Sequence, residues 1–125
     1  MKTYKVTVES NGTTRWYNEN GQLHREDGPA IEWADGDKEW CINGQYHRED
    51  GPAREWADGD KSWWIQGQLH REDGPAIEHN DGSKAWYING EELTEEEFNQ
   101  RMQPHREMTV AQLEQVLGHK IKIIK

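Results

Sequence analysis

The heptapeptide His-Arg-Glu-Asp-Gly-Pro-Ala occurs three times, beginning at His24, His47 and His70, so the chain carries a tandem repeat with a period of 23 residues. Around it the longer unit Trp-x-Ile-Asn-Gly-Gln-Leu-His-Arg-Glu-Asp-Gly-Pro-Ala-Ile-Glu-Trp-Ala-Asp-Gly-Asp-Lys recurs from Trp16 to Gly90. A unit this short cannot bury an apolar face alone, so neighbouring units must stack to share a core. The expected architecture is an array, and such arrays usually present a binding surface.

Turn signals set the strands inside each unit. Asn43-Gly44 and Asp58-Gly59 flank Gln45 to Ala57, and both dipeptides suit the positive backbone angles of tight hairpin turns. A two-residue turn at Asn43-Gly44 pairs Ile42 with Gln45, Cys41 with Tyr46 and Trp40 with His47; the same pairing recurs as Trp63 with His70. Side chains alternate along a strand, which puts Trp40, Ile42 and His47 on one face and Cys41 and Tyr46 on the other. Comparing units separates the faces: Trp40, Trp63 and Trp86 are constant, as are Ile42, Ile65 and Ile88, whereas Cys41, Trp64 and Tyr87 vary. Constant residues are expected to build the stack and variable ones to decorate a second surface. Pro29, Pro52 and Pro75 lack a ladder donor and belong at an edge, a bulge or a turn, so each unit reads as a short meander. His79 replaces Trp33 and Trp56 in the third copy, a sign of changed surroundings near the end of the array.

The ends differ from the middle. Tyr4, Val6 and Val8 alternate with Thr3, Lys5 and Thr7 before Asn11-Gly12, which predicts a capping hairpin over 1–15. The repeats follow over 16–90, with one extra residue between Trp16 and Gly21 to be absorbed as a bulge or longer turn. Over 91–125 the chemistry changes to a helix–helix–strand segment. Thr94 with Glu97 is a capping box and Leu93 with Phe98 a hydrophobic staple, so a helix starts there and ends before Pro104. Thr109 with Gln112, and Met108 with Leu113, repeat the device for a second helix over about Val110 to Leu117, closed by Gly118. Lys120 to Ile124 reads as a last strand, paired with either the last repeat or the free sheet edge. The expected fold class is mainly β: an antiparallel hairpin and meander repeat sheet with a small α+β C-terminal cap.

Composition narrows the function. Hydrophobic residues make up only 32% of the chain, but seven are Trp and four Tyr, so the core must be aromatic. No apolar run approaches the ~20 residues of a membrane span, and the N-terminus lacks a signal-peptide core, so a cytoplasmic, membrane-free location is expected. The lone Cys41 excludes an internal disulfide. Net charge is −9, and 1–118 alone hold 24 acids against 12 bases. Such a field repels nucleic-acid phosphates and favours a partner with a basic surface.

Three constellations bear on chemistry. His24, His47 and His70 with Asp27, Asp50 and Asp73 resemble metal ligands. One copy supplies too few of them, and copies two strands apart lie ~10 Å from one another. The stronger reading is structural, with Arg25, Arg48 and Arg71 pairing to carboxylates of neighbouring repeats. Asp35-Gly36-Asp37 and Asp58-Gly59-Asp60 lack calcium-loop spacing and are explained by turn chemistry. No nucleophile, base and orienter set and no phosphate loop occurs, so no enzyme and no cofactor is expected. Tyr17, Cys41, Trp64 and Tyr87 line up as either a recognition column or a second layer buried against the C-terminal helices. The residues expected to carry recognition are Asp35, Asp37, Asp58 and Asp60 at the turns, Trp64 and Tyr87 on the column, and Glu95 and Glu96 in the acidic run Glu91 to Glu97.

The Trp-x-x-Asn-Gly-Gln-x-His and Ala-Asp-Gly-Asp-Lys elements resemble MORN-type repeats, which stack short hairpins into an elongated sheet and usually mediate protein or lipid contacts. The inserted Arg-Glu-Asp-Gly-Pro departs from that pattern. Tandem His-Arg-Glu-Asp-Gly-Pro-Ala units, joined to Leu-Thr-Glu-Glu-Glu-Phe and Met-Thr-Val-Ala-Gln-Leu-Glu-Gln-Val-Leu-Gly-His-Lys-Ile-Lys-Ile, are similar over nearly the whole chain to small tailed-bacteriophage proteins of uncharacterised role. That resemblance implies a phage protein in the cytoplasm of a bacterial host, and carries no activity or site residues with it. The expected function is non-enzymatic masking or inhibition of a host protein, for example in antiviral defence. The alternative is a self-assembling or virion-associated piece that joins copies through sheet edges.

Overall fold

The computed structural model describes residues 5–102 and 109–118. The chain opens with a hairpin of β1 (Lys5–Val8) and β2 (Thr14–Tyr17), followed by β3 (Ile31–Glu32) and β4 (Lys38–Glu39). The next unit supplies β5 (Cys41–Ile42), β6 (Gln45–Tyr46), β7 (Arg54–Glu55) and β8 (Lys61–Ser62), and the third β9 (Trp64–Ile65), β10 (Gln68–Leu69) and β11 (Ile77–Glu78). Then come β12 (Lys84–Ile88), β13 (Glu91–Leu93), α1 (Glu95–Arg101) and α2 (Val110–Leu117).

Two rows of hairpins result. An antiparallel sheet runs β1-β2-β3-β4-β7-β8-β11-β12-β13, and the hairpins β5-β6 and β9-β10, which turn at Asn43-Gly44 and Gln66-Gly67, stand beside it. The expected register holds: Cys41 pairs Tyr46, Ile42 pairs Gln45, and His47 donates its N–H to the Trp40 carbonyl at 3.0 Å. Successive hairpins are joined in turn, because Gly44, Gly67 and Gly90 donate to the carbonyls of Leu23, Tyr46 and Leu69.

The two turn types differ, contrary to the common conformation expected for them. Asn43 and Gly44 both take positive φ, 49° and 81°, as a two-residue turn requires. At Asp58-Gly59 only the glycine does, with φ 102°. Trp56 donates to the Asp60 carbonyl and Gly59 to the Trp56 carbonyl, so that loop has three residues. The N-terminal turn repeats this form, since Glu9 donates to Thr13 and Gly12 to Glu9. The capping hairpin is therefore a degenerate copy of the repeat's own Asp-Gly hairpin. The extra residue before Gly21 is absorbed as a longer turn, with Asn18 donating to Gln22 and Gly21 to Asn18.

Register lays two chemically distinct rows across the main sheet. One reads Arg15, Ile31, Glu39, Arg54, Ser62, Ile77, Ala85. The other, on the opposite face, reads Thr14, Glu32, Lys38, Glu55, Lys61, Glu78, Lys84, so every neighbour after Thr14 is of opposite charge. Opposite charges facing across strands stabilise pairing by roughly 0.2–1 kcal/mol each, and a slip by one strand position would lose them all.

Burial corrects one expectation. The constant Trp residues are only half-buried, whereas Ala30, Ala53 and Ala76 from Gly-Pro-Ala are 0% exposed. Trp16, Trp40 and Trp63 each donate their backbone N–H to the carbonyl of one of these alanines. Among the described residues, a conventional apolar cluster forms from Ile88, Leu93 and Phe98 with Trp86 and Met102 packed on it, after the last repeat. Both capping boxes, Thr94 with Glu97 and Thr109 with Gln112, are formed, and Gly118 closes α2 at φ 76°. The strand expected over Lys120 to Ile124 lies outside the described residues.

Candidate functional site

Each His-Arg-Glu-Asp-Gly-Pro loop is organised by its arginine. Arg48 Nε donates to Asp50 at 2.9 Å and Nη1 to the Pro52 carbonyl at 3.0 Å, and Arg25 and Arg71 make the same pair of bonds. The guanidinium lies 3.9, 3.9 and 3.8 Å from the ring centres of Trp16, Trp40 and Trp63, within cation–π range. The glycine lets the guanidinium come close: a Cβ on Gly28, Gly51 or Gly74 would stand 2.8, 2.9 or 3.0 Å from the guanidinium carbon and would push the arginine aside. Glu32, Glu55 and Glu78 approach the same arginines from the charged row at 3.9, 3.6 and 2.6 Å. These carboxylates belong to the arginine's own unit and not to neighbouring repeats, because the loop folds back on itself. Arg25 and Arg48 hold the Asp27 and Asp50 carboxyls below the usual aspartate value, mainly by hydrogen bonding.

The histidines do link repeats. Nδ1 of His24, His47 and His70 accepts the N–H of Asn43, Gln66 and Asn89 at 2.9, 3.0 and 2.9 Å. Those acceptor contacts fall on the first, positive-φ residue of the next unit's turn. Nε2 lies 3.5, 3.7 and 3.8 Å from Glu26, Glu49 and Glu72. Among the described residues no group of three or more His, Cys, Asp or Glu side chains converges as metal ligands would.

Between successive loops lie two open grooves of about 750 and 780 Å³. Trp40, Ile42 and His47 line the first and Trp63, Ile65 and His70 the second, so the constant residues do share a face.

The acidic turns form a row along the sheet. Asp35 and Asp58 are exposed, and each accepts the N–H of the second Asp in its own turn at 3.0 Å. Asp37 and Asp60 are half-buried and accept N–H from the next unit, Ala57 and Asn80, at 2.7 Å. Thr13 Oγ1 plays that part for the first unit, accepting from Ala34 at 3.1 Å. Asp35 and Asp37 edge a cleft of about 240 Å³ between Trp33 and Trp56, whose lining includes Glu39 and Arg54. Trp33 Nε1 donates to Glu39 at 2.6 Å, and Arg54 stacks over Trp56 and Tyr46 at 4.5 and 4.9 Å.

The variable column is not an open surface. Cys41 is 2% exposed, and Tyr17, Trp64 and Tyr87 are half-buried. Trp64 packs on Tyr46 at 5.2 Å and donates to the buried Ser62 hydroxyl at 2.7 Å. Burial, reinforced by Glu39, pushes the Cys41 thiol and the Tyr46 hydroxyl up to about 12. Helix α1 does not cover this column: its Phe98 packs with Trp86 and Ile88, on the constant side of the last unit. Glu95 and Glu96 are exposed in the first turn of α1, outside the Asp-Gly row, while Glu91 lies 3.5 Å from Arg101.

The structure thus places Asp35, Asp37, Asp58 and Asp60 in one row, with Glu95 and Glu96 in α1 and Trp64 joined to the cleft's Arg54 through Tyr46. Sequence reasoning gave no recognition role to Trp33, Trp56, Glu39 and Arg54, although Trp33 and Trp56 recur two residues before the first two Asp-Gly turns. It also passed over the Glu and Lys residues six apart that flank each turn and build the charged row. No family model, no curated protein and no solved structure matches this chain.

Proposed function

We infer that this chain is a non-enzymatic binding protein of a bacteriophage that covers a basic surface on a host protein, an antiviral defence component among the candidates, and so masks it. The observation that carries this reading is the cleft where the Asp35 and Asp37 turn meets Trp33 and Trp56. Acidic tips at a repeat interval steer a basic partner into encounter, and half-exposed rings beside them supply contact area that lengthens the complex's life. The phage assignment rests on the sequence resemblance alone.

Affinity capture from host lysate tests the reading with Asp35, Asp37, Asp58 and Asp60 changed together to Asn. Asn keeps an acceptor oxygen for each turn bond and removes the charge. Capture of one host protein should weaken in the variant and slow as salt rises from about 50 to 300 mM, since steering is screened over ~10 Å at 0.1 M. Equal capture by the variant rejects the reading. A second reading, self-assembly, is favoured by β1, which among the described residues ends the sheet and whose Val6 and Val8 are 47% and 69% exposed. Sedimentation that shows concentration-dependent oligomers, with no host protein captured, would support it instead.

A further inference from the structure

The geometry points to the two loop grooves as a docking track for a basic peptide segment in polyproline II conformation, with Lys or Arg at positions i and i+3. This goes beyond the masking reading, because the Asp-Gly row and the Trp33–Trp56 cleft that carry that reading line neither groove.

Charge, lining and spacing each bear on the assignment. At one wall of the second groove stand Arg48, Glu49 and Asp50, and at the other Arg71, Glu72 and Asp73, a net −2; the first groove has the same balance from Arg25, Glu26, Asp27 and the shared Arg48 loop. The aspartates are already bonded to their own arginines. Glu49 and Glu72, 83% and 74% exposed, lie 3.7 and 3.8 Å from a His Nε2, longer than a hydrogen bond, and retain acceptor capacity for an incoming cation. Trp63 with Ile65, and Trp40 with Ile42, provide an apolar lining on which the methylene stem of Lys or Arg can lie while its head reaches the glutamates.

Spacing selects the conformation. Each unit adds two strands to the main sheet, so equivalent points in the grooves are ~10 Å apart at ~4.8 Å per strand. Polyproline II advances ~3.1 Å per residue with three residues per turn, which returns every third side chain to the same side after ~9.3 Å. In a β-strand, residues three apart point to opposite faces, so an extended strand cannot seat both cations.

The test uses the full chain and two synthetic peptides of one composition: a proline-rich peptide with two Arg three residues apart, and an isomer with the two Arg adjacent. Fluorescence anisotropy should show at least tenfold tighter binding of the first. Glu49, whose loop walls both grooves, is the site of the diagnostic variant Glu49→Lys, expected to weaken that binding at least tenfold with an unchanged circular dichroism spectrum. Asp35→Asn with Asp58→Asn should leave it unchanged. Equal affinity for the isomers, no binding of either, or indifference to Glu49→Lys would overturn the track. If host capture nevertheless depends on the Asp-Gly row, the masking reading stands without it. If the peptides behave as expected and no host protein is captured, the track stands and the masking reading fails.

Discussion

Trp63 and Trp86 occupy the same position in consecutive units and are covered by different chemistry. Trp63 lies under Arg71, held by Asp73 and the Pro75 carbonyl. Trp86 packs against an apolar cluster of Ile88, Leu93 and Phe98. Leu93 stands 23 residues after His70, so the residue that would have clamped the next turn has become part of a core. Inside the array a polar loop suffices, because His24, His47 and His70, Asp37 and Asp60, and Gly44, Gly67 and Gly90 all bond to neighbouring units. No fourth His-Arg-Glu-Asp copy follows the last unit, and its Trp–Ile face is closed by the apolar residues of helix α1, with Glu91 lying 3.5 Å from Arg101 beside them.

The sharpest way to break this contrast is to remove the apolar cover. Phe98→Ala deletes a buried ring that is 5% exposed, and should cost ~3–4 kcal/mol in the C-terminal unit. Hydrogen exchange should then show α1 and β13 losing protection while the amides of the first two units keep theirs. Uniform loss across all units would mean that the array and its end form a single cooperative block.

The matching change in the array is Arg71→Ala. It removes the stack on Trp63, the bonds to Asp73 and Glu78 and the carbonyl bond, for an expected ~1.5–2.5 kcal/mol, smaller because the site is partly hydrated. Arg71→Lys should recover less than half of that, since an ammonium cannot fork between Asp73 and Pro75 while lying flat on the ring. Chemical denaturation of both variants measures this, and full rescue by Lys would reduce the arginine to a point charge.

These contrasts were unevenly legible in the sequence. Period, turn dipeptides and capping boxes are local signals, and they yielded the hairpin register, both helix starts and the shared face of Trp40 and Ile42. The arginine fold-back was hidden because Gly51 matters through a guanidinium arriving from Arg48, a contact that exists only once the loop has closed. The alternating row of Glu32, Lys38, Glu55 and Lys61 has a plain spacing in sequence, but it becomes a ladder only when hairpins of different units share one sheet. For the recognition residues, sequence periodicity grouped Asp35 with Asp37, whereas the fold gives them different work.

That division predicts a smaller effect. Asp37→Ala leaves the Ala57 N–H without its 2.7 Å partner in the next unit, and should cost ~1–1.5 kcal/mol. Asp35→Ala loses one bond within an exposed turn and should cost about half as much. Thermal melting ranks the two. If Asp35→Ala proves the more damaging, links between turns contribute little and the array is held by its strands and loops alone.

The smallest effect expected is acid sensitivity. Hydrogen bonds from Arg25 and Arg48 lower Asp27 and Asp50 below their ordinary 3.8, and bonds at the Thr94 cap lower Glu97 below 4.5. A carboxyl whose folded value is depressed binds fewer protons folded than unfolded, so its stabilisation is present above its ordinary value and disappears as pH falls through the folded one. Melting temperature should therefore drop between about pH 4.5 and 2.5, by no more than a few degrees because all three groups face solvent and are screened. Asp50→Asn should flatten the array's share of that drop, and Glu97→Gln, which preserves the capping box, only the cap's. If both variants flatten the same local transition, array and C-terminal end do not titrate as separate structures, and the contrast between Trp63 and Trp86 is one of packing chemistry alone.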